Sequence, residues 1–421
     1  MSSPAILVLG AGPAGLAAAE AASAGGRQVL LVDENQGPGG QVWRGGSTQW
    51  TDRRATVLWK RLQDRPNVTM MFGTRLVSPA GAGLLLAERG ATPQVLAWER
   101  AVICGGAREL LLPFPGWTLP GVTGAGGLQA LVKCGMPIAG KRVVIGGTGP
   151  LLLAVADVLR RRGAMVVAIV EHQSTQALAR FAGKLAVAHQ AKFMQAAALF
   201  WRLGGIPYCR DAHVRQARGD ERLRSVLIDH RGVDKELRCD FLACGFGLVP
   251  ALESASLFGC VTAQGRVQVD AAQRTSVDGV WAAGESTGIG GVDKALAEGR
   301  IAGLAAVGLA PTQRERGALI SALSFARRLA QAFPPPPVMQ EICRAETIVC
   351  RCEDVRAGAL AGHADWRTAK LQTRVGMGAC QGRVCGAACA FLYGWETTGA
   401  RPPLFPVSAA TLARVGASGD M

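Results

Sequence analysis

Four cysteines in the C-terminal part of the chain stand in two close pairs, Cys350-Arg351-Cys352 and Cys380-Gln381-Gly382-Arg383-Val384-Cys385. Thiolate sulfur is a soft ligand, and four sulfurs can hold either one zinc ion or the two irons of a [2Fe–2S] cluster. C-x-C puts two sulfurs on one face of a turn. Gly378, Gly382 and Gly386 let backbone N–H groups approach the sulfurs, the kind of bonding that tunes a cluster potential. The other cysteines are isolated in sequence: Cys104 and Cys244 lie in apolar stretches and read as buried inert thiols, and Cys343 and Cys389 read as spare thiols. No Cys-x-x-Cys redox pair occurs.

A second constellation lies at the other end. An apolar run at Ala5 to Leu9 leads into Gly10-Ala11-Gly12-Pro13-Ala14-Gly15, an alanine-rich helical pattern to Ala24, and a strand that closes on Asp33. Strand, glycine turn, helix, strand and acid form the dinucleotide-binding unit. Gly10 permits the tight turn, Gly12 lets a pyrophosphate approach the backbone, and Gly15 lets helix and strand pack closely. The helix that opens at Pro13 and Ala14 points its N–H groups and positive dipole at the phosphates. Asp33, with Glu34 as the neighbouring alternative, is placed to accept from adenosine ribose hydroxyls. Gly37-Pro38-Gly39-Gly40-Gln41 can lay a second loop, Gly40 and Gln41, against a ribityl chain, and residues 275–285 form a strand and turn that end in Gly284-Glu285. The same device recurs at Gly146-Gly147-Thr148-Gly149-Pro150, followed by a helical run to Arg162 and a strand ending at Glu171. There Leu152 stands where a third glycine is expected after Gly147 and Gly149.

These elements need a chain of some size. With 421 residues, 49% apolar and 18% charged, disorder is excluded and more than one packed domain is expected. No uncharged apolar run reaches the roughly 18 residues a bilayer span needs. Residues 1–4 carry no basic stretch ahead of the first strand, so no secretory leader and a cytoplasmic location are expected; twelve cysteines then read as thiols or ligands rather than disulfides. The net charge of +15 comes from scattered arginines such as Arg108, Arg180, Arg202 and Arg300, without a basic block or stacking aromatics, so no nucleic-acid partner is expected. His172, His189, His213, His230 and His363 are dispersed and only Tyr208 and Tyr393 carry phenols, so no acid–base catalytic set is assigned.

On the two glycine turns and the 275–285 segment, the chain resembles the flavoprotein oxidoreductases with two dinucleotide-binding domains. The resemblance implies an α/β fold of two Rossmann-like domains, the second inserted in the first. It implies FAD held by the first turn with Gly105, Gly284 and Glu285, the last in place of the family's aspartate. It also implies NAD or another adenine nucleotide in the second domain, where Glu171 favours the 2′-hydroxyl. The cysteine segment resembles the bacterioferritin-associated-ferredoxin type of small domain, in which Cys350, Cys352, Cys380 and Cys385 would bind [2Fe–2S].

The order of these parts is similar to the FAD-containing alpha (A) subunits of heteromeric amino-acid and amine dehydrogenases: hydroxyproline dehydrogenase, opine oxidase, hydrogen cyanide synthase and dye-linked proline dehydrogenase. That implies an oxidoreductase subunit relaying electrons from a flavoprotein beta subunit, which oxidises the amine, to an external acceptor. A small ferredoxin-like subunit, and peripheral membrane contact through the acceptor, are further expectations. Two other readings stay open: a self-sufficient NADH-dependent flavin reductase passing electrons through the cluster, and a zinc-bearing scaffold without redox work. The expected domains are 1–120 with 236–310 for FAD, 121–235 for the inserted nucleotide domain, 311–340 for a helix and the proline-rich linker at 333–337, and 341–421 for the cysteine domain and tail.

Overall fold

The computed structural model describes residues 5–397 and 400–417, which divide into two compact units: 5–108, 249–327 and 400–417 in the first, 109–248 and 328–397 in the second.

In the first unit the strand Ala5–Leu9 lies parallel between Val29–Asp33 and the C-terminal half of Thr92–Ile103; Val68–Phe72 and Val280–Ala282 extend the parallel sheet on either side. The long strand Thr92–Ile103 begins as part of an antiparallel meander with Thr74–Gly81 and Leu84–Arg89. Helix Pro13–Ala24 is buried from Pro13 to Ser23, which suits its alanine content: small side chains let other elements close on every side. Helix Val292–Ala306 crosses it at backbone distance, since a Cβ on Gly299 or Gly303 would run into the carbonyl oxygens of Ala14 and Ala18.

The second unit carries a wholly parallel sheet in the order Tyr208–Arg210, Met165–Glu171, Arg142–Gly147, Phe241–Gly245, Val122–Gly124. A three-stranded antiparallel sheet, Ala212–Arg218, Ser225–His230 and Val233–Arg238, follows it. Residues 328–397 add the small cysteine region, in which Ile348–Cys350 pairs with Val355–Arg356 and the helices Trp366–Thr373 and Cys385–Tyr393 close a core around Val349, Trp366, Val375 and Trp395. Two Rossmann-like sheets in an α/β chain are what the sequence predicts.

Two segments fall differently from the expected boundaries. Residues 109–120 join the second unit: Phe114 is buried there, its ring 6.3 Å from Phe246, and Ala217 N–H donates to the Pro115 carbonyl at 2.9 Å. The tail, residues 400–417, packs on the first unit instead of extending the cysteine region. Leu404 N–H donates to the Val77 carbonyl, and the buried Glu88 carboxylate accepts from Ser408 N–H at 2.9 Å and the Thr411 hydroxyl at 2.8 Å. A carboxylate in the interior needs donors, and the tail brings them.

Candidate functional site

At the first glycine turn, Gly10 has φ +102°, and a Cβ there would meet the Cys104 carbonyl; one on Gly15 would meet the Gly10 carbonyl. Both glycines serve the packing of the turn itself. Gly12 differs: the nearest atom to its Cβ position is Gly40 Cα at 3.9 Å, so the space before it is open. Gly39 N–H donates to the Ala11 carbonyl at 2.8 Å, and a Cβ on Gly40 would stand 2.9 Å from Gly12 Cα. The two loops therefore meet at Gly12 and Gly40 and leave the start of helix Pro13–Ala24 facing a cleared volume, which fits a pyrophosphate.

Asp33 does not point freely outward. One carboxylate oxygen accepts Ala11 N–H at 2.5 Å, and the other accepts the backbone and side-chain N–H groups of Asn35, both at 2.7 Å. It locks the glycine turn to the end of its strand, with the remaining lone pairs available to a ribose. Glu34, Gln41 and Gly105 are exposed. Gly284 is buried with φ +83°, its Cβ position 2.8 Å from Ala14 Cβ. The half-buried Glu285 accepts Gly290 N–H at 2.9 Å and Gly291 N–H at 2.8 Å; burial pushes its carboxyl above the usual range. It braces its own loop rather than extending from it.

Sequence reasoning missed the pair beneath this turn. Buried Lys294 donates to Glu298 at 2.7 Å, to the Thr287 hydroxyl at 2.7 Å and to the Gly284 carbonyl at 2.8 Å, while Glu298 accepts Gly284 N–H at 2.9 Å. The pair is bonded to both ends of the Gly284–Thr287 turn and so fixes it. A lysine and a glutamate four apart in an otherwise small-residue helix were the available signal.

The second glycine turn has the same backbone and a different front. Gly147 and Gly149 both have positive φ, and a Cβ on Gly147 would meet the Gly245 carbonyl, as Gly10 meets Cys104. The front of Gly149 is covered: the Phe333 ring begins 3.4 Å from its Cβ position, itself edge-on to Phe181 at 4.9 Å. Glu171 is 0% exposed, accepts Gly149 N–H at 3.0 Å and Gln173 N–H at 2.9 Å, and burial raises its pKa. The carboxylate assigned to a ribose is closed in by the protein.

In the cysteine region, Cys350 and Cys385 are buried, Cys380 half-buried and Cys352 exposed. Burial alone would push the Cys380 thiol up. The amides of Val384, Gly382 and Arg383, together with the Cys352 thiol, outweigh it and hold the group below its ordinary value. Gly378 lies against Cys352, its Cβ position 3.3 Å from the sulfur; Gly386 faces Thr397 instead of a sulfur. Burial pushes the spare thiols up, Cys343 to about 11 and Cys389 to about 12. Among the described residues no three metal-ligating side chains are gathered tightly enough to hold a metal as they stand. The donor set, four thiols in two close sequence pairs, suits a thiolate-bound group.

Residues 4–299 match the model of the pyridine nucleotide-disulphide oxidoreductase family. An opine oxidase polypeptide of Rhizobium meliloti, the A component of that enzyme, is 32% identical over 96% of this chain and 96% of its own length. The hydrogen cyanide synthase subunit HcnB of Pseudomonas aeruginosa is 30% identical over 91% of each. Among solved structures, L-proline dehydrogenase from P. horikoshii superposes with a TM-score of 0.70 at 20% identity, covering 97% of this chain and 79% of that one, a likeness of fold. Among the described residues no helix is long and apolar enough to cross a membrane.

Proposed function

The chain belongs to the pyridine nucleotide-disulphide oxidoreductase family, a family of FAD-binding oxidoreductases, and from that premise we propose that it is the electron-transfer subunit of a heteromeric amine or amino-acid dehydrogenase or oxidase. The observation that carries the reading is likeness along nearly the whole chain, cysteine region included, to proteins named as single subunits of an oxidase and a synthase. FAD would be held by Gly10, Gly12, Pro13, Ala14 and Gly15 with Gly40, Asp33 and the Gly284 turn; a [2Fe–2S] cluster would be held by Cys350, Cys352, Cys380 and Cys385. When bound, the flavin supplies two-electron acceptance with one-electron release, and the cluster supplies single-electron steps. This chain's own part is to clear the space before Gly12 and to fix the Gly284 turn through Lys294 and Glu298. Oxidation of the C–N bond, of a hydroxyproline, proline or opine-like compound, then belongs to a flavoprotein beta subunit. A small ferredoxin-like protein is a further component, and the setting is cytoplasmic.

The C-x-C and C-x4-C pairs, whose pattern resembles the bacterioferritin-associated-ferredoxin type, favour a cluster over zinc. Phe333 over Gly149 and the closed Glu171 speak against the NADH-dependent alternative and for the second nucleotide domain as scaffold.

The test is co-expression with the flavoprotein partner, followed by iron and acid-labile sulfide analysis and an absorption spectrum of the complex. Flavin bands and cluster charge-transfer bands are expected together. Cys352→Ser and Cys380→Ser should each remove iron, sulfide and acceptor reduction while FAD stays bound. One equivalent of zinc without iron, or full electron transfer in these variants, overturns the cluster role.

A further inference from the structure

In the second unit, helices Thr175–Ala188 and Gln190–Arg202 meet at His189 as a hairpin. Leu185 is the one fully buried side chain of the pair. The hairpin is attached by one side: Leu199 packs against the sheet core, Phe200 lies edge-on to Tyr208 at 5.8 Å, and Phe181 meets Phe333. The opposite side should then be polar throughout, yet beside Gln195 it carries an apolar stripe. Ala191, Met194, Ala198 and Trp201, spaced as one helical stripe, all face solvent, with Met194 65% and Trp201 86% exposed, and Val187 on the first helix is 84% exposed. An amphipathic surface helix places its apolar stripe inward; this one presents a second stripe outward.

Charge around the stripe is one-sided. Residues 172–207 contain no aspartate or glutamate, whereas Arg180, Lys184, Lys192 and Arg202 fall within them. Arg180 and Lys184, one turn apart on the first helix, are both exposed; Arg202 is paired with Asp157 at 3.2 Å. An outward stripe of tryptophan, methionine and alanine, in a segment that carries cations and no carboxylate of its own, is the pattern of a helix lying in a bilayer interface, where anionic headgroups supply the countercharge.

We propose that the outer face of this hairpin docks on an anionic lipid surface, with Trp201 and Met194 entering the headgroup boundary and Arg180 and Lys184 facing the headgroups. The proposal goes beyond the electron-transfer reading and holds whichever cofactors are bound.

The test is sedimentation of the flavin-loaded full chain with vesicles of phosphatidylcholine alone or mixed with phosphatidylglycerol. Binding to the mixed vesicles only, weakened by salt, is expected. Trp201→Gln combined with Met194→Gln should abolish it. Arg180→Gln and Lys184→Gln should each weaken it about fivefold. Flavin content and unfolding midpoint should stay at the unmodified level in all of them. Absence of binding to anionic vesicles overturns the proposal, as does undiminished binding by the variants. It is equally overturned if the Trp201/Met194 variant loses its protein partner while keeping vesicle binding, since the face would then be a protein–protein interface.

Discussion

Gly245 makes room for Leu152: a Cβ on the glycine would stand 2.8 Å from the leucine Cδ2. In the first glycine turn the sizes are reversed, with Gly15 on the helix 3.5 Å, at its Cβ position, from the Cβ of Cys104, the residue that follows the strand Thr92–Ile103. The missing third glycine of the second turn is thus compensated from the neighbouring strand, and helix Leu151–Arg161 still packs closely, with Leu152 at 0% exposure. Leu152→Ala should cost about 2–5 kcal/mol as a buried cavity. Gly245→Ala should also destabilise, by crowding Leu152. The double variant should cost less than the sum, because the added methyl enters the space that the leucine leaves. Urea unfolding of the four proteins measures the coupling; strict additivity would show that the two residues do not share the space.

The open front of Gly12 separates folding from binding. With φ −74° and nothing of the chain nearer than Gly40 Cα, Gly12→Ala should fold with an unchanged midpoint. Its methyl would occupy the pyrophosphate volume, so flavin affinity should fall at least about tenfold, about 1.4 kcal/mol. Gly10→Ala, placed at φ +102° against the Cys104 carbonyl, should lose folding as well as flavin. Flavin absorbance per chain, measured beside the unfolding midpoint, distinguishes them; equal flavin retention in Gly12→Ala would remove this turn from the cofactor site.

Local patterns carry far in this sequence because each glycine turn is short-range: strand, turn, helix and acid lie within some thirty residues, so Asp33 and Glu171 can be placed on their strands from spacing alone. What spacing cannot convey is what arrives from elsewhere in the chain. Phe333 comes to Gly149 from far downstream, Gly245 relieves Leu152 from another strand, and Thr411 reaches Glu88 from the tail. The role expected of Glu285 follows from its position, while its actual bonds depend on the Gly290-Gly291 turn that folds back on it. The four cysteines are legible as a group, but the burial of Cys350 and Cys385 and the exposure of Cys352 are properties of the fold.

Phe333 bears on nucleotide binding directly. Its ring covers Gly149, and the Gly149 N–H is already taken by Glu171, so the isolated flavin-loaded chain should show no saturable binding of NAD near about 1 mM and no flavin bleaching by NADH. Phe333→Ala should uncover the turn and give measurable binding by calorimetry. Rapid bleaching of the unmodified chain by NADH would instead restore the reductase reading.

The tail contact carries a pH dependence whose sign follows from Glu88. Burial would raise this carboxyl, but the Ser408 amide and hydroxyl, the Thr411 hydroxyl and the charge of Arg75 hold it below its ordinary value of 4.5. A carboxyl whose folded pKa is depressed binds fewer protons folded than unfolded, so it contributes stability above the unfolded value and loses it as pH falls through the folded one. Glu88→Gln should therefore lower the melting temperature at pH 7, and the gap to the unmodified chain should narrow below about pH 4. Truncation before residue 400 removes the Ser408 and Thr411 donors and leaves Glu88 its ion pair with Arg75, so in the truncated chain the same substitution should cost less at pH 7. A Glu88→Gln penalty of equal size with and without the tail would show that Glu88 does not hold it.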